Sequence, residues 1–138
     1  MGTVNIDVSE LRRFGDRIQN VDIDLFCRKV AKEVASRLLR KVVKKTPVGI
    51  YKDKVGGNLR RGWSIDETVT KEGAVYKISV VNPVEYASYV EYGHRTANHR
   101  GWVEGQFFLT ISEREIQSLA PNLVKKRIEE ELRRQLNV

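Results

Sequence analysis

The sequence predicts an α+β domain: a small antiparallel β-sheet packed on a long basic amphipathic helix, with additional short helices and a C-terminal helix. Three observations carry that expectation. Cys27, Val30, Ala31, Val34, Leu38 and Val42 recur at steps of three and four, which makes one apolar stripe over about four helical turns. Two runs, Leu59 to Val69 and Ala74 to Val81, alternate with a period of two around Lys71-Glu72-Gly73, the signature of an antiparallel hairpin. Val124, Ile128, Leu132 and Leu136 draw a second helical stripe near the C-terminus.

In chain order, Ser9 caps a short helix with Leu11, Phe14 and Ile18 at helical spacing, ending near Asn20. The long helix follows, with Asp22 or Asp24 as its N-cap, because a carboxylate there accepts free backbone N–H groups and meets the positive end of the helix dipole. Lys44 and Lys45 suit its C-terminal end, and Thr46-Pro47 stops it by biasing Thr46 out of the α region. Val48 to Asn58, with three glycines and no periodicity, reads as a mobile loop. In the hairpin, Trp63, Ile65, Glu67 and Val69 share one face of the first strand, and the second strand ends at Asn82-Pro83. Glu85 to Tyr92 reads as a short helix ending at Gly93, and Gly93 to Gly105 as a second loop carrying His94, Arg95, His99 and Arg100. Phe107 to Ile116 is amphipathic, with Phe107 to Ile111 equally compatible with a strand, and Pro121 opens the last helix. The 138 residues therefore form one domain, helical over 1–45, sheet and loops over 46–105, and helical over 106–138.

Composition narrows the function. Apolar runs are only a few residues long, far short of the roughly 20 needed for a membrane span. The first residues carry neither a secretory leader nor a myristoylation signal. A lone cysteine, Cys27, can form neither an internal disulfide nor a multi-thiolate metal centre, and its place on the apolar stripe makes it a small core residue. The net charge of +7 is polarised. Arg28 to Arg61 holds twelve basic and two acidic residues, a surplus of ten, whereas the rest holds thirteen against sixteen, a deficit of three. Such a segment suits phosphate backbones or an acidic protein surface, which includes another copy of the chain.

No phosphate loop, zincin, EF-hand or nucleophile-elbow motif is present, and no catalytic, cofactor-binding or metal-binding residue is expected. Glu85 and Glu91 flank an aromatic cluster, but six residues apart on a short helix they point to different sides, which favours capping or ion pairing over acid–base chemistry. His94 and His99 lack the spacing of a helical metal site. Trp63, Tyr86, Tyr89 and Trp102 suit a small core or an interface, and also base stacking beside the basic helix.

Three blocks carry a resemblance. Thr46-Pro47-Val48 with Gly57-Asn58-Leu59-Arg60-Arg61-Gly62-Trp63 resembles the "(A/T)-P-x-x-(T/S)-G-x-L-(R/K)-x-S" element of phage tail-completion proteins, components of the neck at the head–tail junction. Tyr86-Ala87-Ser88-Tyr89-Val90-Glu91-Tyr92-Gly93 resembles their "Y-A-x-Y-V-E-x-G" signature, and Gly105-Gln106-Phe107-Phe108-Leu109 their following "P-F" element. The loop between Pro47 and Gly57 is longer than the family's, and His94 stands where Thr or Ser is usual. The resemblance implies a non-enzymatic virion protein of a tailed phage or prophage, made in the host cytoplasm, that completes the tail and joins it to the head. The implied partners are other neck and tail proteins and further copies of the chain in a ring, from subunits able to stay monomeric in solution. DNA would be met only transiently, and no cofactor or membrane is involved. The expected assembly contacts are Lys29, Lys32, Arg40 and Lys44 on the long helix, Tyr51, Lys52 and Lys54 in the first loop, and Arg95, His99, Arg100 and Trp102 in the second. The competing expectation is a small nucleic-acid-binding regulator that lays the helix Leu25 to Lys45 on a phosphate backbone, although the helix lacks a turn and recognition-helix partner.

Overall fold

The stripe from Cys27 to Val42 becomes one straight run of buried side chains in the computed structural model, which describes residues 2–9, 22–49 and 56–136. The described elements are β1 (Gly2–Asp7), α1 (Ile23–Lys45), α2 (Asn58–Arg61), β2 (Ser64–Glu72), β3 (Val75–Val81), α3 (Ala87–Tyr92), β4 (Gly93–Arg95), β5 (Trp102–Glu104) and α4 (Phe108–Leu136). The α+β architecture is as expected. A three-stranded antiparallel sheet in the order β1-β3-β2 is covered on one face by α1, and α4 packs along α1.

Asp22 is the N-cap of α1, its carboxylate accepting from Leu25 N–H at 3.0 Å. Thr46 ends the helix in extended conformation at ψ 126°, as the following proline requires. From the sheet, Val4 of β1 and Tyr76, Ile78 and Val80 of β3 alternate into the core against Val34, Ala35 and Leu38. The opposite sheet face, with Thr3, Asn5 and Asp7 in β1 and Lys77 in β3, is open to solvent, the usual state of a one-sided antiparallel sheet. Phe108, Leu109, Ile116 and Leu123 bring α4 into the same core.

Five expectations are corrected. Residues 2–7 form a strand inside the segment expected to be helical, paired to β3 from Gly2↔Val80 to Asp7↔Val75. The helix expected from Ser9 to Asn20 lies, beyond Ser9, outside the described residues. Leu59 to Arg61 belong to the single turn α2 rather than to the first hairpin strand. Gly57 enters that turn at φ +97°, where a side chain is disfavoured, and Gly62 closes it with N–H bonds to Asn58 and Leu59. Glu67 is exposed although it shares parity with Trp63, because Glu67, Thr68 and Val69 all stand opposite Ile78 in a bulge between Asp66 and Thr70. Asp66 Oδ1 accepts from Thr68 N–H at 3.2 Å and Arg28 Nη1 donates to the Val69 carbonyl at 2.7 Å, which anchors the bulge to α1. Finally, Pro121 lies inside α4 instead of opening a helix, and the segment 93–105 is a β-hairpin, β4 against β5, rather than a loop.

Candidate assembly surfaces

The motif residues fall into two buried knots. In the first, Thr46 is wholly buried at the end of α1, and its hydroxyl donates to the Val42 carbonyl at 2.6 Å. Trp63 Nε1 donates to the same hydroxyl oxygen at 2.7 Å, and Arg60 grips the Thr46 carbonyl through Nε at 3.1 Å and Nη2 at 2.7 Å. Asn82 Nδ2 donates to the Leu59 carbonyl at 2.7 Å. The Thr-Pro and Leu-Arg elements are thus one joint: the helix-ending residue supplies the acceptors, and the single turn α2 places Arg60 over them.

The second knot is Glu91, a fully buried carboxylate. Its Oε2 accepts from Leu109 N–H at 2.9 Å, and its Oε1 from Thr110 N–H at 2.8 Å and Thr110 Oγ1 at 2.7 Å. The first turn of any helix leaves N–H groups without intrahelical acceptors, and a buried anion there is held by them and by the helix dipole. Glu91 therefore caps α4 from another element. Backbone bonds from Gln106 N–H to Val90 O (2.9 Å) and Phe107 N–H to Glu91 O (3.1 Å) hold the two segments together. A Cβ on Gly105 would lie 2.3 Å from Glu91 O, and one on Gly93 2.6 Å from Val103 O, so both glycines permit this close backbone approach. The spacing of the "Y-A-x-Y-V-E-x-G" segment is explained by this cap. Glu85 is exposed.

Around the second knot the surface is apolar. Among the described residues, seven of the nine large hydrophobics that stand exposed fall between Tyr86 and Ile111, with Tyr89, Tyr92 and Trp102 each more than half exposed. Tyr92 meets Phe107 edge to face at 6.5 Å, and Tyr89 lies tilted against His94 at 5.8 Å. Phe107 reaches this surface with φ +50°, a left-handed conformation unusual for an aromatic residue. The hairpin pairs His94 with Val103 and Arg95 with Trp102, and His99 (φ +57°), Arg100 and Arg95 are exposed toward its tip. Next to Tyr86, a cavity of about 370 Å³ is lined by Val48, Leu59, Val90 and Gln106.

Of the expected contacts, Lys29, Lys32, Arg40 and Lys44 form one exposed row along α1, and none of the four has an ion pair among the described residues. The other α1 cations are committed internally. Lys41 and Lys45 both reach Glu115 at 3.0 Å, and Arg28 pairs with Asp24 at 2.8 Å. These cations hold the Glu115 and Asp24 carboxyls below the ordinary range. Arg95, His99, Arg100 and Trp102 share the β4–β5 hairpin, a different element from the α1 row. Tyr51, Lys52 and Lys54 lie outside the described residues. Sequence reasoning named Tyr89 only as one of four aromatics for a core or an interface and did not single out Tyr92, Val103 and Phe107; the local density of aromatics was the available signal.

Among the described residues no helix is long and apolar enough to cross a membrane, and no group of three metal-ligating side chains converges. A family model described as "Bacteriophage HK97-gp10, putative tail-component" matches residues 10–93, more than half of the chain. No curated protein and no solved structure matches it. The matched segment contains α1, the Thr46–Arg60–Trp63 joint, the β2–β3 hairpin and Glu91, and ends on the glycine that follows α3. The chain belongs to the HK97 gp10-like family of bacteriophage tail components.

Proposed function

We propose that the protein is a structural part of the phage neck, completing the tail and helping to join it to the filled head by protein–protein assembly. The observation that carries this reading is the exposed aromatic surface of Tyr89, Tyr92, Trp102 and Phe107, set on a rigid base by the Glu91 cap. Exposed aromatic clusters beside arginines are the usual anchors of protein interfaces, and the flanking Arg95 and Arg100 suit an acidic rim on the partner. The exposed cation row on α1 gives a second surface, on a different element, for an acidic face of an adjoining protein or of the next subunit. Two unlike surfaces on one subunit are what a heterologous, ring-closing contact needs. The ring forms on assembly, and DNA passes through it without being gripped.

The test is electron microscopy of particles made by phage lacking the gene and complemented with variants. Separate filled heads and tails are expected without the protein, and also with Tyr92→Ala/Trp102→Ala, while the wild-type gene restores joined virions. Joined, infectious particles in the absence of the gene overturn the reading. So does tight, steeply salt-dependent binding of the isolated protein to duplex DNA, which would favour phosphate recognition by the α1 row.

A further inference from the structure

Among the described residues the outer edge of β1 is unpaired, and it lies beside an apolar groove. Backbone groups alternate in direction along a strand, so one bond fixes the set. Val8 N–H donates to the Ala74 carbonyl at 2.9 Å, which directs the even-numbered residues of β1 at β3 and turns Thr3, Asn5 and Asp7 outward. Thr3 N–H accordingly reaches the Glu113 carboxylate of α4. Among the described residues no strand pairs with this edge. Alongside it runs a groove of about 440 Å³, floored by Val34 and Leu38 and walled by Ile116, Ala120, Pro121 and Val124. Edge strands are commonly protected by lysine, proline or a bulge, and Gly2–Asp7 has none of these.

The charge at this edge is opposite in sign to the chain's net charge. In a chain of net charge +7, the groove is lined at its rim by two carboxylates, Asp7 and Glu113, and β1 itself contains no basic residue. Burial and the neighbouring Glu91 raise the Glu113 carboxyl, against the opposing pull of the N-terminal charge and the Thr3 N–H. A second copy of β1 would bring another aspartate to an acidic rim. The geometry points to an extended segment of a different protein, apolar at alternate positions and carrying lysine or arginine between them, that adds to the sheet as a fourth strand at Asn5 and Asp7. Its apolar side chains enter the groove, and its cations, which project to the opposite face, meet Asp7. Main-chain pairing of this kind gives affinity, and alternate side chains give selectivity. The inference does not rest on the neck reading.

The experiment titrates the full-length, isotopically labelled protein with a blocked heptapeptide alternating valine and lysine, followed by amide chemical shifts. Shifts confined to Asn5, Asp7, Ile116 and Ala120 are expected. Binding should weaken at least about tenfold when the lysines become glutamates, or when the ladder-forming amides of the peptide are N-methylated, since tenfold corresponds to the loss of roughly one hydrogen bond. Asn5→Pro should have the same effect, because that N–H points outward and proline there leaves the β1–β3 ladder intact. Should that variant fail to fold, Ala120→Arg fills and charges the groove instead and is expected to abolish binding. The inference is overturned if the peptide leaves these amides unmoved, if N-methylation is without effect, or if sedimentation shows a dimer that Ala120→Arg dissolves, which would make the occupant a second copy.

Discussion

Replacing Glu91 with alanine strips three donors of their acceptor, one of them buried and two on the half-buried Thr110. Hydrogen bonds to charged groups are worth about 1.5–3 kcal/mol each, but the freed N–H groups partly rehydrate as the turn frays, so a net loss of about 3 kcal/mol is expected in denaturant unfolding. Glu91→Gln should lose about half of that, because an amide keeps one acceptor oxygen but turns its NH2 toward a remaining donor. The Thr46 joint behaves differently. Thr46→Val leaves the buried Trp63 indole N–H without its partner and should cost about 1–3 kcal/mol, whereas adding Trp63→Phe removes the orphaned donor, so the double variant should cost less than the two single changes combined. A double-mutant cycle by urea unfolding reads the coupling. Both knots are only half legible in sequence. The residues stand out as motifs, and a carboxylate six residues from Glu85 suggests capping, but the helix that Glu91 caps begins seventeen residues later. Local pattern does not announce a cap supplied from elsewhere in the chain.

Elements were legible where periodicity is long and local. α1 carries seven buried residues on one face and its own cap and stop signals, so its ends are readable to within a residue or two. β1 offers only Val4 and Ile6 as an alternating pair, and its pairing partner stands about half the chain away, so nothing within six residues marks it as a strand. Pro121 misleads for a physical reason: proline is tolerated at a first helical turn, and here the packing of Ile116 and Leu123 against the core carries the helix through it. Proline in a helix interior forfeits a backbone bond, so Pro121→Ala should stabilise the protein by about 1–3 kcal/mol in thermal melts without altering its circular dichroism. The α1–α4 contact has its own pH signature. Arg127 holds Glu33 through Nε to Oε2 at 2.8 Å and Nη2 to Oε1 at 2.6 Å, and this guanidinium keeps the Glu33 carboxyl below its ordinary value. Because the folded value lies below the unfolded one, the stabilisation is complete above the ordinary glutamate range and fades as pH falls through the depressed folded value. Urea midpoints of Glu33→Gln should therefore fall below the wild type at pH 7 and converge with it in strong acid.

Across the whole molecule, the net charge divides into cations used inside the fold and cations left outside it. Arg28, Lys41, Lys45 and Arg127 hold elements together, while Lys29, Lys32, Arg40 and Lys44 make no ion pair among the described residues. Changing all four to glutamate should leave the melting temperature within a few degrees of the wild type, since isolated surface charges contribute little to stability. The same change should block complementation in the phage assay. A stable protein that fails to assemble would separate the two groups of cations.

The strand order β1-β3-β2 also sets a timetable. The β2–β3 hairpin closes over a tight turn at Gly73, and α1 can collapse onto it at once, but β1 is synthesised first and has no partner until β3 emerges. Local contacts form quickly and distant ones wait on loop closure, so the strand of this sheet that is made first is the last to join it. Until then the central strand is itself an edge, and a growing polypeptide with β3 exposed is the form most open to pairing with the wrong neighbour.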